Sequence, residues 1–276
     1  MRSPTWVVTL RYVVLVLLAA LFLLPFYIIV RNAFSTQPWI TSPQWHWLPN
    51  QPNAENLSRL FANPNVLILR AMGVSAVVSV TQTVLTVLIS AMAGYALSRL
   101  GSGRAAGIIL GLTIGTLMVP AAVTFVPSFV MVSSLGWIST LRGLIIPGLF
   151  SAFGTFLFRQ FFLGFPTELE EAARIDGAGY WRTFWRIVMP NSLGIAAAVG
   201  TIIFIGSWNA FLWPLLIGQD KQFRTVQVAL SSFLTSQGIN IPQLFTGAVV
   251  AIVPVVLVFL FLQRYLVEGV ERSGID

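Results

Sequence analysis

The stretch ELEEAARIDGAGYWRTFWRIVMP, Glu168 to Pro190, decides how this sequence is read. It holds four of the nine acidic residues, three of the sixteen basic ones and two of the nine tryptophans in a 276-residue chain that is 56% hydrophobic and only 9% charged. An ordinary globular domain carries about 25% charged residues, dispersed over its surface. Here the charge forms an island, and the remainder, with a mean hydropathy of +0.83, has the composition of a chain whose solvent is a bilayer.

The net charge of +7 does not point to nucleic acid. Phosphate binding needs clustered Lys and Arg on an exposed face, whereas this chain has one lysine, Lys221, and arginines scattered between apolar runs. Basic residues in the loops of a membrane protein explain the balance, and lipid is the expected surrounding. Cysteine is absent, which excludes disulfides, thiolate catalysis and cysteine metal sites.

A membrane helix needs about 20 predominantly apolar residues. Six such runs are read, at about 12–30, 71–98, 105–130, 143–162, 193–217 and 244–263. The first follows Arg11, but it is long and no A-x-A cleavage signal follows it, so it is taken as an uncleaved span. The second carries a polar stripe, Ser75, Ser79, Gln82, Thr86 and Ser90, at helical spacing, the pattern of a face packed on neighbouring helices. Pro120 and Pro127 are expected to kink or end the third, where GLTIG (111–115) offers a close-packing face, and Pro254 to interrupt the sixth. Residues 218–243 look irregular. The expected fold is an all-α integral membrane protein, one transmembrane domain over 1–276, with the charged loop 163–192 between the fourth and fifth spans.

An even number of spans puts both termini on one side. With the termini in the cytosol, ten basic residues fall inside and six outside, as the positive-inside rule prefers. The longest outer segment, 33–69, then carries Trp39, Trp45, His46 and Trp47 with five prolines, read as an interfacial aromatic belt.

Several chemistries are excluded. There is no G-x-x-x-x-G-K-[ST] phosphate loop, and GAGYWR (177–182) lacks both the third glycine and the preceding strand of a dinucleotide site. His46 has no carboxylate or second histidine near it in sequence, so no catalytic or metal site is assigned. No acidic residue lies inside a span. A stand-alone secondary transporter or membrane enzyme would need intramembrane Asp, Glu or His, so energy for transport should come from elsewhere.

The charged island itself reads as two pieces. Thr167 followed by Glu170 spells a capping box, the acidic residues crowd a helix N-terminus, Glu170 and Arg174 form an i,i+4 pair, and Gly177 is a left-handed terminator. Leu169, Ala172 and Ala173 share one small-residue face that a partner surface can approach. From Tyr180 to Pro190, Trp181, Phe184, Trp185 and Val188 make an apolar stripe with Arg182 and Arg186 off it, an interfacial amphipathic helix.

From Glu171 the spacing resembles the EAA motif of ABC-importer permeases: Glu171, Ala172, Ala173, three residues, Gly177, nine residues, Ile187, one residue, Met189 and Pro190, with Met189 where the family usually has Leu. EAARIDGA (171–178), YALSRL (95–100), SWNAFLWPLLI (207–217) and FLQRYLVEG (261–269) resemble the MalG-like permeases of carbohydrate importers over nearly the whole chain. That resemblance implies a non-catalytic subunit of a bacterial or archaeal inner membrane. It implies a second homologous permease, a cytosolic ABC ATPase dimer that carries ATP and Mg, and an extracytoplasmic solute-binding protein. It makes the loop a coupling helix, with Glu170, Glu171, Ala172, Ala173, Asp176 and Gly177 at the ATPase. The C-terminal EGVERSGID departs from the Gly, Val and Lys-rich tails of the family. Gln82, Trp208, Asn209 and Trp213 are set out for a sugar pathway, with glycerol phosphate or another polyol as the alternative cargo.

Overall fold

The computed structural model describes residues 5–49, 52–100, 104–235 and 238–271. Residues 101–103 and the chain end from 272 lie outside the described residues. In chain order the helices are α1 (Thr5–Ala33), α2 (Gln37–Ile40), α3 (Glu55–Ala62), α4 (Ile68–Tyr95), α5 (Arg104–Thr116), α6 (Ala121–Ser134), α7 (Leu141–Ile145) and α8 (Ala152–Leu163). They continue as α9 (Thr167–Ile175), α10 (Tyr180–Thr183), α11 (Leu193–Trp208), α12 (Leu212–Ile217), α13 (Val226–Ser231) and α14 (Ile241–Glu271). A short antiparallel hairpin, β1 (Leu234–Thr235) and β2 (Gly238–Ile239), precedes α14 and pairs Leu234 with Ile239.

Among the described residues four helical stretches are long and apolar enough to cross a membrane: Thr5–Ala33, Ile68–Arg99, Pro190–Trp208 and Ile241–Arg264. Two bent pairs bring the number to six if each pair is one span. The expected run 105–130 is such a pair, α5 and α6, bent by 93°. Pro120 causes the break, because it opens α6 after α5 has closed in a series of tight turns through Val119, whereas Pro127 sits inside α6. The run 143–162 is the other, bent by 45° around Gly148 and Ala152. The run 193–217 divides into α11 and α12. Pro254 does not interrupt its helix: α14 passes through it, as membrane helices allow when the freed carbonyl finds other support. A Cβ on either glycine of GLTIG would meet no atom of the described residues within 4 Å, so the expected close-packing contact is not made among them.

The chain divides into two compact units, Met1–Leu69 with Ala229–Val253, and Arg70–Val228 with Pro254–Asp276. In the first, α1 exposes apolar side chains on every side from Leu10 to Phe26, the signature of a helix whose surroundings are apolar. Its C-terminal end is polar and buried. The Ala33 carbonyl accepts from Asn56 Nδ2 (2.9 Å) and Thr246 Oγ1 (3.1 Å), which ties α1 to α3 and α14. The segment after α1 is not a bare loop, since it contains α2 and α3. Trp39 stacks on His46 at 3.8 Å, Trp45 meets Trp47 edge-on at 5.6 Å, and the Arg31 guanidinium lies 5.0 Å above Trp45.

In the second unit the polar stripe of α4 is turned inward. Ser75, Ser79, Thr86 and Ser90 are buried, and Ser75 Oγ accepts the Val226 backbone N–H at 2.8 Å. α4 and α8 cross closely because two glycines lack a side chain. A Cβ on Gly94 would lie 2.8 Å from the Arg159 backbone nitrogen, and one on Gly154 would lie 2.9 Å from Ser90 Oγ. Tyr95, Phe158, Phe162, Phe165, Phe184 and Val188 build one apolar cluster at this crossing; Val74, Val78, Val132, Leu144 and Ile217 build another.

Candidate coupling site at the charged turn

α8 ends at Gly164, and Pro166 forces a new start, so the acidic segment becomes the separate helix α9. No capping box forms. Thr167 is already helical and no side chain caps the N-terminus. Glu170 does not reach back to Thr167, because its carboxylate is drawn inward to the end of α4. Tyr95 Oη donates to Glu170 Oε2 at 2.9 Å and Arg99 Nε donates to Glu170 Oε1 at 2.8 Å. Arg99 Nη2 also donates to the Phe165 carbonyl at 3.0 Å. The Glu170 side chain is only 3% exposed and that of Arg99 11%. A carboxylate so buried is tolerable only when paired and hydrogen-bonded, and here both oxygens are engaged.

The expected Glu170 to Arg174 pair is likewise absent. Glu170 is spent on Arg99, and the Arg174 guanidinium lies 4.6 Å over the Tyr180 ring instead, linking α9 to α10 across the glycine turn. That turn is as expected. Gly177 has φ +80°. Its N–H donates to the Arg174 carbonyl (3.0 Å) and the Ala178 N–H to that of Ala173 (2.9 Å), a Schellman closure.

The faces of α9 differ from the expectation in one respect. Ala173 is buried beside Glu170, so it belongs to the inner face. The outer face presents Glu168, Leu169, Glu171, Ala172, Ile175 and Asp176, with Ile175 87% exposed.

The second piece is not a uniform amphipathic helix. After α10 the backbone widens into a π turn, Phe184–Val188, closed by the Met189 N–H to the Phe184 carbonyl at 2.8 Å. An i→i+5 turn rotates the stripe apart. Phe184 and Val188 point into the core, where Phe184 packs 5.2 Å from Tyr95, while Trp181 and Trp185 stay exposed and meet each other edge-on. Another π turn, Ala96–Leu100, carries Arg99 at the end of α4. Tyr95 and Arg99 belong to this site, and pattern alone does not single them out. The local signal was an i,i+4 phenol and guanidinium closing an apolar span, with no indication of the partner 71 residues on.

The residues set out for a pathway occupy different settings. Gln82 Nε2 donates to the Leu144 and Ile145 carbonyls at 3.0 and 3.1 Å, and its Oε1 accepts from Ser207 Oγ at 2.5 Å. It thereby joins α4, α7 and α11. Trp208 is 2% exposed and stacked on Phe204. Trp213 Nε1 donates to the Gly143 carbonyl at 3.0 Å. Asn209 is exposed at the end of α11 and accepts from Gln227 Nε2 at 3.0 Å. Gln82→Leu is expected to strand two carbonyls and a hydroxyl and to cost about 1–3 kcal/mol of stability. A thermal unfolding series in detergent reads this, and an unchanged midpoint contradicts the three-way tie.

The arrangement has close structural precedent. Over 96% of this chain and 98% of the other, it superposes with a TM-score of 0.82 at 22% identity on a chain of a bacterial ABC transporter involved in the import of the acidic polysaccharide alginate. At that identity the likeness establishes the fold. Residues 63–272 match the family described as binding-protein-dependent transport system inner membrane component. Relatives include the arabinooligosaccharides transport system permease protein AraQ of Bacillus subtilis, 36% identical over 73% of this chain and 71% of that protein. The lactose transport system permease protein LacG of Rhizobium radiobacter is 32% identical over 79% of each. The sn-glycerol-3-phosphate transport system permease protein UgpE of Yersinia enterocolitica is 41% identical over 57% of each. The chain belongs to the binding-protein-dependent transport system inner membrane component family.

Proposed function

We propose that this chain is one membrane half of an ATP-driven sugar importer. It works beside a second homologous permease, a cytosolic ATPase dimer and an extracytoplasmic solute-binding protein. It crosses the inner membrane six times, each bent pair counting as one span, with both termini in the cytosol. ATP and Mg belong to the ATPase subunits, and this chain's part in catalysis is mechanical. Relatives named for arabinooligosaccharides and lactose support a sugar cargo. The higher identity to the glycerol-phosphate permease over a shorter stretch favours a polyol phosphate as the second reading.

The observation that carries the proposal is α9: a helix latched to α4 on its inner face and presenting Leu169, Glu171, Ala172, Ile175 and Asp176 outward. A bare isoleucine at 87% exposure, beside exposed Leu169 and among Glu168, Glu171 and Asp176, is explained by a partner surface that covers it. Glu170 and Ala173 face inward, so in this reading they position the helix, while Glu171, Ala172, Asp176 and Gly177 lie at the ATPase. Along the pathway, Asn209 is the residue we place against substrate, with Gln82, Trp208 and Trp213 holding the helices around it.

Ile175→Glu and Glu171→Lys test this directly. Neither side chain supports the fold, so unfolding should shift by less than about 0.5 kcal/mol. Capture of the ATPase and sugar-stimulated ATP hydrolysis should fall at least about tenfold, the loss of one well-packed anchor. Full stimulation in both variants sinks the coupling role.

A further inference from the structure

The first unit carries a half-open cavity of about 340 Å³ between the turn after α1, the α3 segment and the start of α14. Six carboxamides line it, an unusual concentration in so apolar a chain. Each is pinned at one end by the backbone. Asn53, Asn63 and Asn240 accept at Oδ1 from the N–H groups of Glu55, Asn65 and Gln243, at 3.0, 2.9 and 3.3 Å. Those bonds fix which way round each amide lies and do not use its NH₂ group.

The other three are reversed. Gln37 Nε2 donates to the Ile239 carbonyl at 3.2 Å, Asn56 Nδ2 to those of Ala33 and Ser35 at 2.9 and 3.0 Å, and Gln243 Nε2 to that of Asn56 at 3.0 Å. Their oxygens remain, and Gln243 Oε1 is buried with no partner among the described residues. Three oriented donors and three oriented acceptors around one space match a ligand whose groups both donate and accept. Sugar hydroxyls are such groups; a carboxylate or phosphate, which only accepts when ionised, would leave the acceptor half opposed.

Charge points the same way. Among the described lining residues Arg59 alone is charged, and its guanidinium already meets the Glu55 carboxylate at 2.6 Å. The wall is therefore close to neutral. The volume lies at the small end of the range for small-molecule sites, about 300–1,000 Å³.

We propose that this cavity binds a neutral mono- or disaccharide through its hydroxyls. The inference rests on the sugar-importer reading and on its topology, which puts the segments after α1 and before α14 on the outer side. It adds a saccharide site on the permease apart from the pathway residues of the second unit.

The test uses the assembled complex in nanodiscs without its binding protein, titrated with arabinose, lactose or sn-glycerol 3-phosphate and read by saturation-transfer NMR. Either sugar should give ligand signal, and glycerol phosphate none that competes with it. Asn53→Asp combined with Asn240→Asp keeps the oxygens that hold the backbone and removes the donors, so sugar affinity should fall at least about tenfold, the scale of one lost 1.4 kcal/mol. Asn53→Leu with Asn240→Leu should do the same, and each variant's unfolding midpoint checks its fold. No sugar signal in the wild type, undiminished binding by well-folded variants, or equal competition by glycerol phosphate overturns the proposal. Uptake measured on the same complex with its binding protein separates the two levels. Sugar uptake without cavity binding removes this site alone, and no uptake of any sugar removes the sugar reading along with it.

Discussion

Glu170→Ala is expected to destabilise the chain by about 3–5 kcal/mol, the largest stability effect of any single substitution considered. The change leaves Arg99 nearly buried with its Nε unpartnered and Tyr95 Oη without its acceptor. The loss comes from the stranded charge rather than from the strength of the pair. A triple replacement, Glu170→Leu, Arg99→Met and Tyr95→Phe, therefore ought to recover most of the stability, because apolar groups of similar volume can replace a buried ion pair at little net cost. Hydrogen exchange over 167–178 locates the effect. The alanine variant should speed exchange there while the α4 and α8 amides stay slow. The triple variant carries the functional question, since it restores packing without the oriented ionic contact. If α9 passes motion to α4 through that contact, sugar-stimulated ATP hydrolysis stays low in the triple variant despite its recovered stability. Stimulation returning together with stability would show that any filled interface suffices.

The membrane class was legible because it depends on composition, and the positions of charge bounded the runs. Where the reading differed, the cause was tertiary. Pro120 was visible as a breaker, but a 93° bend depends on what α5 and α6 meet. Glu170 shows the limit most clearly. Its place three residues after Thr167 spelled a capping box, a local bond worth about 1 kcal/mol, and the arginine that took it instead lies on another helix. A carboxylate turned inward to Arg99 and Tyr95 cannot also reach Thr167, and no spacing rule announces a partner so distant in sequence. The stripe of Trp181, Phe184, Trp185 and Val188 failed for a different reason. A period of 3.6 was assumed where the backbone adopts a π turn, whose wider pitch sends Phe184 and Val188 to the core and leaves both tryptophans outside. Gly177 was legible, because a left-handed glycine that closes a short acidic helix needs only local chemistry to be recognised. The six amides of the cavity were individually ordinary and gained meaning only when folding gathered 36–63 and 240–243.

Gly177→Leu is expected to leave the chain inserted and to abolish at least about nine-tenths of sugar-stimulated ATP hydrolysis. The φ of +80° at this position is a conformation that costs an L-residue about 1–2 kcal/mol, and a Cβ there meets no atom of the described residues within 4 Å beyond its chain neighbours. Within this subunit the penalty is therefore purely one of backbone. Relieving it means unwinding the Schellman closure, which shifts Arg174 off Tyr180 and re-aims Ile175 and Asp176. Three replacements separate the backbone from the partner surface. Asparagine tolerates the left-handed region, so Gly177→Asn should keep most of the activity. Alanine carries the full conformational penalty with the smallest side chain, and if the angle of α9 is what matters, alanine and leucine should fail equally. If leucine fails while alanine works, the turn itself is forgiving, and the glycine is there because the docked partner comes too close to leave room for a side chain.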